Sequence, residues 1–274
     1  MSYANFKPVI WSKYIEHELA KILTFKEDCD FRFEGEVGKG KRVKILGVGR
    51  PTIGDYDGSE INPPEKIADS SVYLDIDQHK YFNFMVDDID KAQAKEGLMP
   101  ALMEETTRTL KEEVDSFCAK EIGKNCGGKS ASLNITGASD PEKAMAEAVD
   151  NAFIYLWDNG VQLSDKVTIY LTPKFYTIFK RKLVELKTDN DKLIAKGIVG
   201  YYNNAKVKIT NNIYNDKTDD YLIIKSSKAY AFCDGINDTE AYRPEKLFSD
   251  AVKGLHTYGG KMVRPKEAYV IKAH

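Results

Sequence analysis

Eight consecutive residues, Gly123-Lys124-Asn125-Cys126-Gly127-Gly128-Lys129-Ser130, satisfy the phosphate-loop pattern G-x-x-x-x-G-K-[ST] at every required position. In that chemistry backbone amides cradle the phosphates, the lysine (here Lys129) reaches the terminal ones and the hydroxyl (Ser130) holds Mg²⁺. The pattern also demands a buried strand before the loop and a helix after it. Here a helical segment ending at Ile122 comes first, and Ala131 to Gly137 brings no helix start until Ser139. A nucleotide-binding protein using Gly123–Ser130 is therefore the weaker expectation. Val37-Gly38-Lys39-Gly40 and Gly47-Val48-Gly49 each hold two of the three glycines of a dinucleotide fingerprint, with no helix following, and read as turns. Asp87, Asp88 and Asp90 stand just ahead of a helix, where acids favour its dipole and caps. None of the four histidines (His17, His79, His256, His274) lies near a nucleophile in sequence, and neither G-x-S-x-G nor H-E-x-x-H occurs. No catalytic residue, cofactor or metal is predicted, and the protein is not expected to be an enzyme.

The composition narrows the classes further. The chain has 274 residues, 42% hydrophobic and 30% charged, enough for one or two globular domains. The longest apolar run, Ala152 to Trp157, is six residues, where a membrane span needs roughly 18. No export signal is seen at the N-terminus. Forty basic against 42 acidic side chains, without a block of like charge, argue against tight sequence-specific DNA binding. Cys29, Cys118, Cys126 and Cys233 are widely spaced and lack nearby histidines, which predicts neither a zinc site nor a disulfide framework and suggests a reducing, cytoplasmic compartment.

The elements follow from spacing. Pro8 followed by Trp11, Ile15, Leu19 and Ile22 predicts an amphipathic helix over 8–25, whose apolar stripe must lie on the chain's own core or on a neighbouring subunit. From Cys29 to Asp69, short strands (Phe31 to Glu34, Arg42 to Gly47) are separated by glycines, with few large apolar groups, so this segment is either an excursion held by something else or a flexible loop. Val72, Leu74, Ile76, Phe82, Phe84 and Val86 share one parity, the mark of a half-buried strand, with a bend expected near Gln78 and Lys80. A helix is predicted over 100–122, about 34 Å long, stopped by Gly123. The Gly/Ser/Thr/Asn-rich 123–139 reads as a connection and a candidate hinge, as does 188–205. Ser139-Asp140-Pro141-Glu142 supplies an N-cap, a first-turn proline and a capping-box glutamate for a helix to Trp157, ended by Gly160. A strand at Val167 to Leu171, a helix from Thr172-Pro173, and strands at 207–209, 221–224 and 229–232 follow. Phe248 to Lys272 reads as two strands turning at Gly259-Gly260. The fold class is α+β.

The opening Asn5-Phe6-Lys7-Pro8-Val9-Ile10-Trp11-Ser12, the block running from Ile76-Asp77-Gln78-His79-Lys80-Tyr81-Phe82-Asn83-Phe84 to Ala92-Gln93, and the ending Tyr258-Gly259-Gly260-Lys261-Met262-Val263-Arg264-Pro265 resemble the major capsid (coat) proteins of tailed bacteriophages, in the short-tailed-phage branch. The resemblance implies the Hong Kong 97-type capsid fold. Residues 1–28 would be the N-arm, 29–86 the extended loop and its base strands, and 87–139 the peripheral domain with its spine helix. Residues 140–230 would be mainly the axial domain, and 231–274 the return to the peripheral domain. It implies a homo-oligomer of pentamers and hexamers closing into an icosahedral shell around double-stranded DNA, in a virion or prophage, assembled in the host bacterial cytoplasm. A length of 274 residues leaves no room for a built-in scaffolding segment, so a separate scaffolding protein and a portal are expected partners, with DNA contacted non-specifically. The same fold could serve an encapsulin-like nanocompartment. The residues expected at subunit contacts are Trp11, Ile15, Leu19 and Ile22 on the N-arm, and Lys39, Lys41, Arg42, Arg50, Tyr56 and Asp57 on the extended loop.

Overall fold

The computed structural model describes residues 24–33, 42–46, 53, 55, 63, 71–87, 98–162, 164–185 and 200–274. Its described part opens on a single 3-10 turn, Lys26–Asp28. Two short strands, β1 (Arg42–Ile45) and β2 (Val72–Asp75), pair antiparallel, and β3 (Gln78–Asp87) leads to the long helix α1 (Leu98–Asn125). Strand β4 (Gly128–Leu133), helix α2 (Pro141–Asp158), strand β5 (Val167–Leu171) and helix α3 (Pro173–Glu185) follow. The chain ends in strands β6 (Tyr201–Tyr202), β7 (Ala205–Ile209), β8 (Asp220–Ser226), β9 (Tyr230–Tyr242), β10 (Ser249–Met262) and β11 (Ala268–Ala273).

Two larger sheets result. One is antiparallel, in the order β3-β10-β9; the other is mixed, in the order β4-β11-β8-β5-β7-β6, with β4 parallel to β11 and β5 parallel to β7. The mixed sheet is covered on both faces, which is why all five residues of β5 are buried. Ile169, Leu171, Leu222, Ile224 and Ile271 face α2 and α3, in a core with Val149, Phe153, Leu156, Phe175 and Phe179. Tyr170, Tyr221, Ile223 and Val270, of the opposite parity, face the C-terminal half of α1 through Val114, Cys118 and Ile122. The N-terminal half of α1 lies instead on the three-stranded sheet, with Met103 and Leu110 against Val86 and Val252. At 1.5 Å per residue α1 is about 42 Å long, and it joins the two sheets.

Several expectations hold. In β2 and β3 the even-numbered side chains turn inward and the odd-numbered ones outward; the strand breaks at Ile76-Asp77, and the bend expected near Gln78 and Lys80 is not there, since both lie in the unbroken register of β3 with β10. In α2 the N-cap is Asp140, whose carboxylate accepts from the Lys143 amide at 3.1 Å, with Pro141 in the first turn. Lys143 thus occupies the place a capping-box glutamate would need. At the other end Gly160 (φ +88°) and Val161 donate to the Trp157 and Leu156 carbonyls, the paired bonds of a Schellman motif.

Others are corrected. Phe31–Phe33 form no strand, because the Asp30 carboxylate holds the Arg32 amide and guanidinium, and the backbone pairing with β9 is the isolated Asp30–Ala231 bridge. Gly123 does not stop α1: it lies inside the helix where a Cβ would press on the Tyr221 ring at 3.3 Å. The 123–139 stretch is no hinge, since it contains β4, an integral strand of the mixed sheet. Gly259-Gly260 is not a turn; β10 runs straight through it, and the chain reverses at Val263–Glu267. The strand predicted at 229–232 extends to Tyr242.

Candidate inter-subunit surfaces

Of the residues expected at subunit contacts, Trp11, Ile15, Leu19, Ile22, Lys39, Lys41, Arg50, Tyr56 and Asp57 lie outside the described residues, as does the predicted helix up to residue 23. Arg42 is described. It opens β1, pairs with Asp75 across the strand pair through both guanidinium and carboxylate, and covers the Tyr73 ring at 5.2 Å. It is committed within its own chain.

What the structure does describe is the anchor from which the N-terminal segment departs. The Phe25 ring is fully buried and stacks on Tyr170 at 4.2 Å, while the Thr24 and Phe25 amides donate to the Asp115 carboxylate of α1 at 3.1 and 3.3 Å. Asp28 accepts from the Tyr170 hydroxyl at 2.7 Å and pairs with Lys208 at 2.6 Å; the buried Lys225 ammonium donates to the Asp28 carbonyl. Lys26 pairs with Asp234, which the buried His256 also reaches at 3.3 Å. The turn is thereby tied to α1, to the mixed sheet and to the three-stranded sheet.

Burial disfavours the charged form of Asp28 and Asp234, but the first is held below the ordinary carboxylate value by Lys208 and Tyr170, the second by His256 and Lys26. Asp115 goes the other way, pushed up by burial. A depressed carboxyl contributes stability above its unfolded value, 3.8 here, and loses it as pH falls through the folded one; Asp115 has the opposite sign and offsets part of that loss. Exchange of the Phe25 and Asp30 amides is therefore expected to stay protected from neutrality down to about pH 5 and to rise below about pH 4. Hydrogen exchange across that range checks it, and loss of protection already at pH 6 would contradict it.

Several large apolar side chains among the described residues are exposed at the surface. Between β9 and β10, Leu247 and Phe248 project from the hairpin tip, Phe248 at 82% exposure, with Met85 of β3 also exposed. On the outward face of the three-stranded sheet stand Tyr81 (81% exposed) and Leu255, register partners on β3 and β10, beside a groove of about 450 Å³ lined also by Asn83, Asp238, Glu240 and Lys253. On α2, Ile154 and Trp157 are about half exposed. Patches of this kind mark interaction surfaces. The sequence reading missed them; the usable signal was Tyr81 and Met85 breaking an otherwise polar parity, and two apolar residues directly after Arg243-Pro244-Glu245-Lys246.

The phosphate-loop run has the wrong architecture. Gly123–Asn125 is the last turn of α1, and Gly128–Ser130 opens β4, so a helix feeds a strand. Lys129 donates back to the Lys124 carbonyl, and the Ser130 hydroxyl accepts from the Lys272 amide at 2.9 Å. Calorimetry with ATP and Mg²⁺ is expected to give no saturable heat; saturable binding lost in Lys129→Ala would reverse this. Among the described residues no group of three His, Cys, Asp or Glu could hold a metal ion, and no helix is long and apolar enough to cross a membrane.

No protein-family model and no curated protein matches the sequence. Solved structures do. A structure from Mycobacterium phage Che8 matches at 25% identity over 91% of each chain with a TM-score of 0.76, and the capsid of cyanophage P-SCSP1u at 14% identity over 93% of this chain and 89% of that one, with 0.78. A virus-like particle from Pyrococcus furiosus matches at 14% identity over 96% and 98%, with 0.62. The likeness does not single out the short-tailed-phage branch. Over about nine-tenths of its length, the chain has the fold of bacteriophage capsid subunits.

Proposed function

We propose that this chain is a major capsid protein whose copies close, through pentamers and hexamers, into an icosahedral shell around phage double-stranded DNA. The observation that carries this reading is the match to phage structures over about nine-tenths of both chains, since a shared subdomain alone would leave much of one chain uncovered. The role is structural and not catalytic. Such a shell needs heterologous contacts that close into rings, each weak and many at once. The Leu247-Phe248 tip, the Tyr81-Leu255 face and the Ile154-Trp157 edge support the reading as surfaces for neighbouring copies.

In this reading residues 1–28 form the N-arm, 29–86 the extended loop and its base, 87–139 and 231–274 the peripheral domain around α1, and 140–230 mainly the axial domain. A separate scaffolding protein and a portal take part, assembly occurs in the host cytoplasm, and the finished subunit resides in the virion capsid. The near-neutral charge suits a container that contacts its DNA without sequence preference. A nanocompartment shell uses the same fold, but the virus-like particle matches with a lower TM-score than the phage structures named above. Particles carrying this chain are expected to protect double-stranded DNA from nuclease; particles filled with an enzyme and free of DNA would overturn the phage reading.

The proposed contacts at Trp11, Ile15, Leu19 and Ile22 precede the Thr24–Asp30 turn, whose amides and side chains are held by α1 and the sheets. Trp11→Ala, or deletion of residues 1–22, is expected to leave a folded subunit and abolish shells. Light scattering checks it, and shells at normal yield would contradict it.

A further inference from the structure

The three-stranded sheet carries a projection and a recess that match in shape class and in charge. At the β9–β10 tip Leu247 and Phe248 stand out beside the exposed Lys246, and Arg243 with Lys246 outnumber Glu245, so the tip has a net positive charge. On the outward face Tyr81 and Leu255 are register partners that supply the apolar part of the groove, and Asp238 continues the same row on β9. Asp238 and Glu240 outnumber Lys253 there, so the groove has a net negative charge. Glu240 is answered within its own chain by Lys253 at 2.9 Å, whereas neither Asp238 nor Lys246 has an ion pair among the described residues. We propose that the Leu247-Phe248 tip of one copy seats in the Tyr81-Leu255 groove of the next, with Lys246 meeting Asp238.

The tip cannot fill the groove of its own chain. Phe248 lies seven residues from Leu255 along β10, about 24 Å of extended strand, and the ladders with β3 and β9 hold the stretch between them straight. A second copy can. The contact would cover Phe248 and Tyr81, the two most exposed aromatic side chains among the described residues, and aromatic pairs gain beyond the area they bury. Because tip and groove are different surfaces of one chain, the contact is heterologous, the kind that closes into rings. The inference rests on the proposed shell function and deepens it by naming which surface meets which.

Charge reversal in the full chain tests the pairing, at exposed positions whose replacement leaves the fold alone. Asp238→Lys and Lys246→Asp each set like charges together and are expected to raise the concentration needed for assembly about tenfold. The double variant restores opposite charges and should return to within about threefold of wild type. As a second readout, chains carrying Lys246→Cys are mixed with chains carrying Asp238→Cys and mildly oxidised. A disulfide joining positions 246 and 238 of two copies is expected, and the four native cysteines, all buried, should stay out of it. A double variant that assembles no better than the single ones overturns the pairing. Shells at wild-type concentration from both single variants, without the 246–238 linkage, overturn this contact and leave the shell function standing. Linked copies that never give a shell or capsomer keep the contact and overturn the shell function, and unlinked monomers overturn both.

Discussion

Phe248→Asp is expected to leave the folded subunit intact and to abolish shell formation. The side chain projects from the β9–β10 hairpin at 82% exposure and belongs to none of the core clusters, so its replacement should change subunit stability by less than about 0.5 kcal/mol. At a subunit contact the same change removes an aromatic anchor and introduces a charge that must be desolvated, a loss of about 2 kcal/mol per contact. That is about 30-fold in each contact constant, and every subunit of a closed shell repeats it. Unfolding followed by circular dichroism and assembly followed by light scattering separate the two effects. Shells forming at wild-type concentration would remove Phe248 from the interface; a subunit that no longer folds would mean that the tip serves the core.

Gly259→Ala is expected to act on the fold itself. A Cβ there would overlap the Asp75 carbonyl and crowd Ile76, both backbone, so no side-chain rotation can relieve it. Something must move, and the movable part is the end of β2, which carries the β1–β2 pair against the cluster of Val43, Ile45, Leu74 and Cys233. The expected cost is about 3 kcal/mol, large beside the usual stability of a domain. Urea unfolding measures it. A variant within 1 kcal/mol of wild type would show that β2 yields without loss and that the packing there is loose.

Gly259 and its neighbour Gly260 also show where the sequence stopped being informative. Gly259-Gly260 carries the signature of a turn, yet its glycines serve close approach by Asp75 and by the Tyr230 hydroxyl, which come from 184 and 30 residues away in sequence. Periodicity sees only local neighbours, so this need is invisible to it. For the same reason α1 was legible as a helix but not in its buried stripe. Thr107, Lys111 and Asp115 read as polar face, while the structure buries all three, with Asp115 taken up by the Thr24 and Phe25 amides. Strand β4 was lost because Gly-Lys-Ser-Ala-Ser-Leu has neither β-branched residues nor alternation, and its strand character comes from pairing with β11.

Where burial alternates locally or a cap is written into four residues, reading succeeded. The parity of β2 and β3, the start of α2 and the run of β5 all came out of spacing alone. The surfaces proposed for subunit contacts are not the ones expected from spacing. Arg42 is engaged with Asp75 in its own chain, the other nine expected residues lie outside the described part, and the exposed apolar groups sit on β3, β10, α2 and the β9–β10 tip. An exposed Phe and a buried Phe look alike in sequence; only the packed fold tells Phe248 from Phe25.

The central claim, that this chain builds a closed shell, is tested most directly by purifying the recombinant protein, alone and with a coexpressed scaffolding protein, and viewing it by light scattering and negative-stain electron microscopy. Closed particles in the megadalton range, or ring-shaped capsomers, are the predicted result. A 30.9 kDa monomer under both conditions would contradict it.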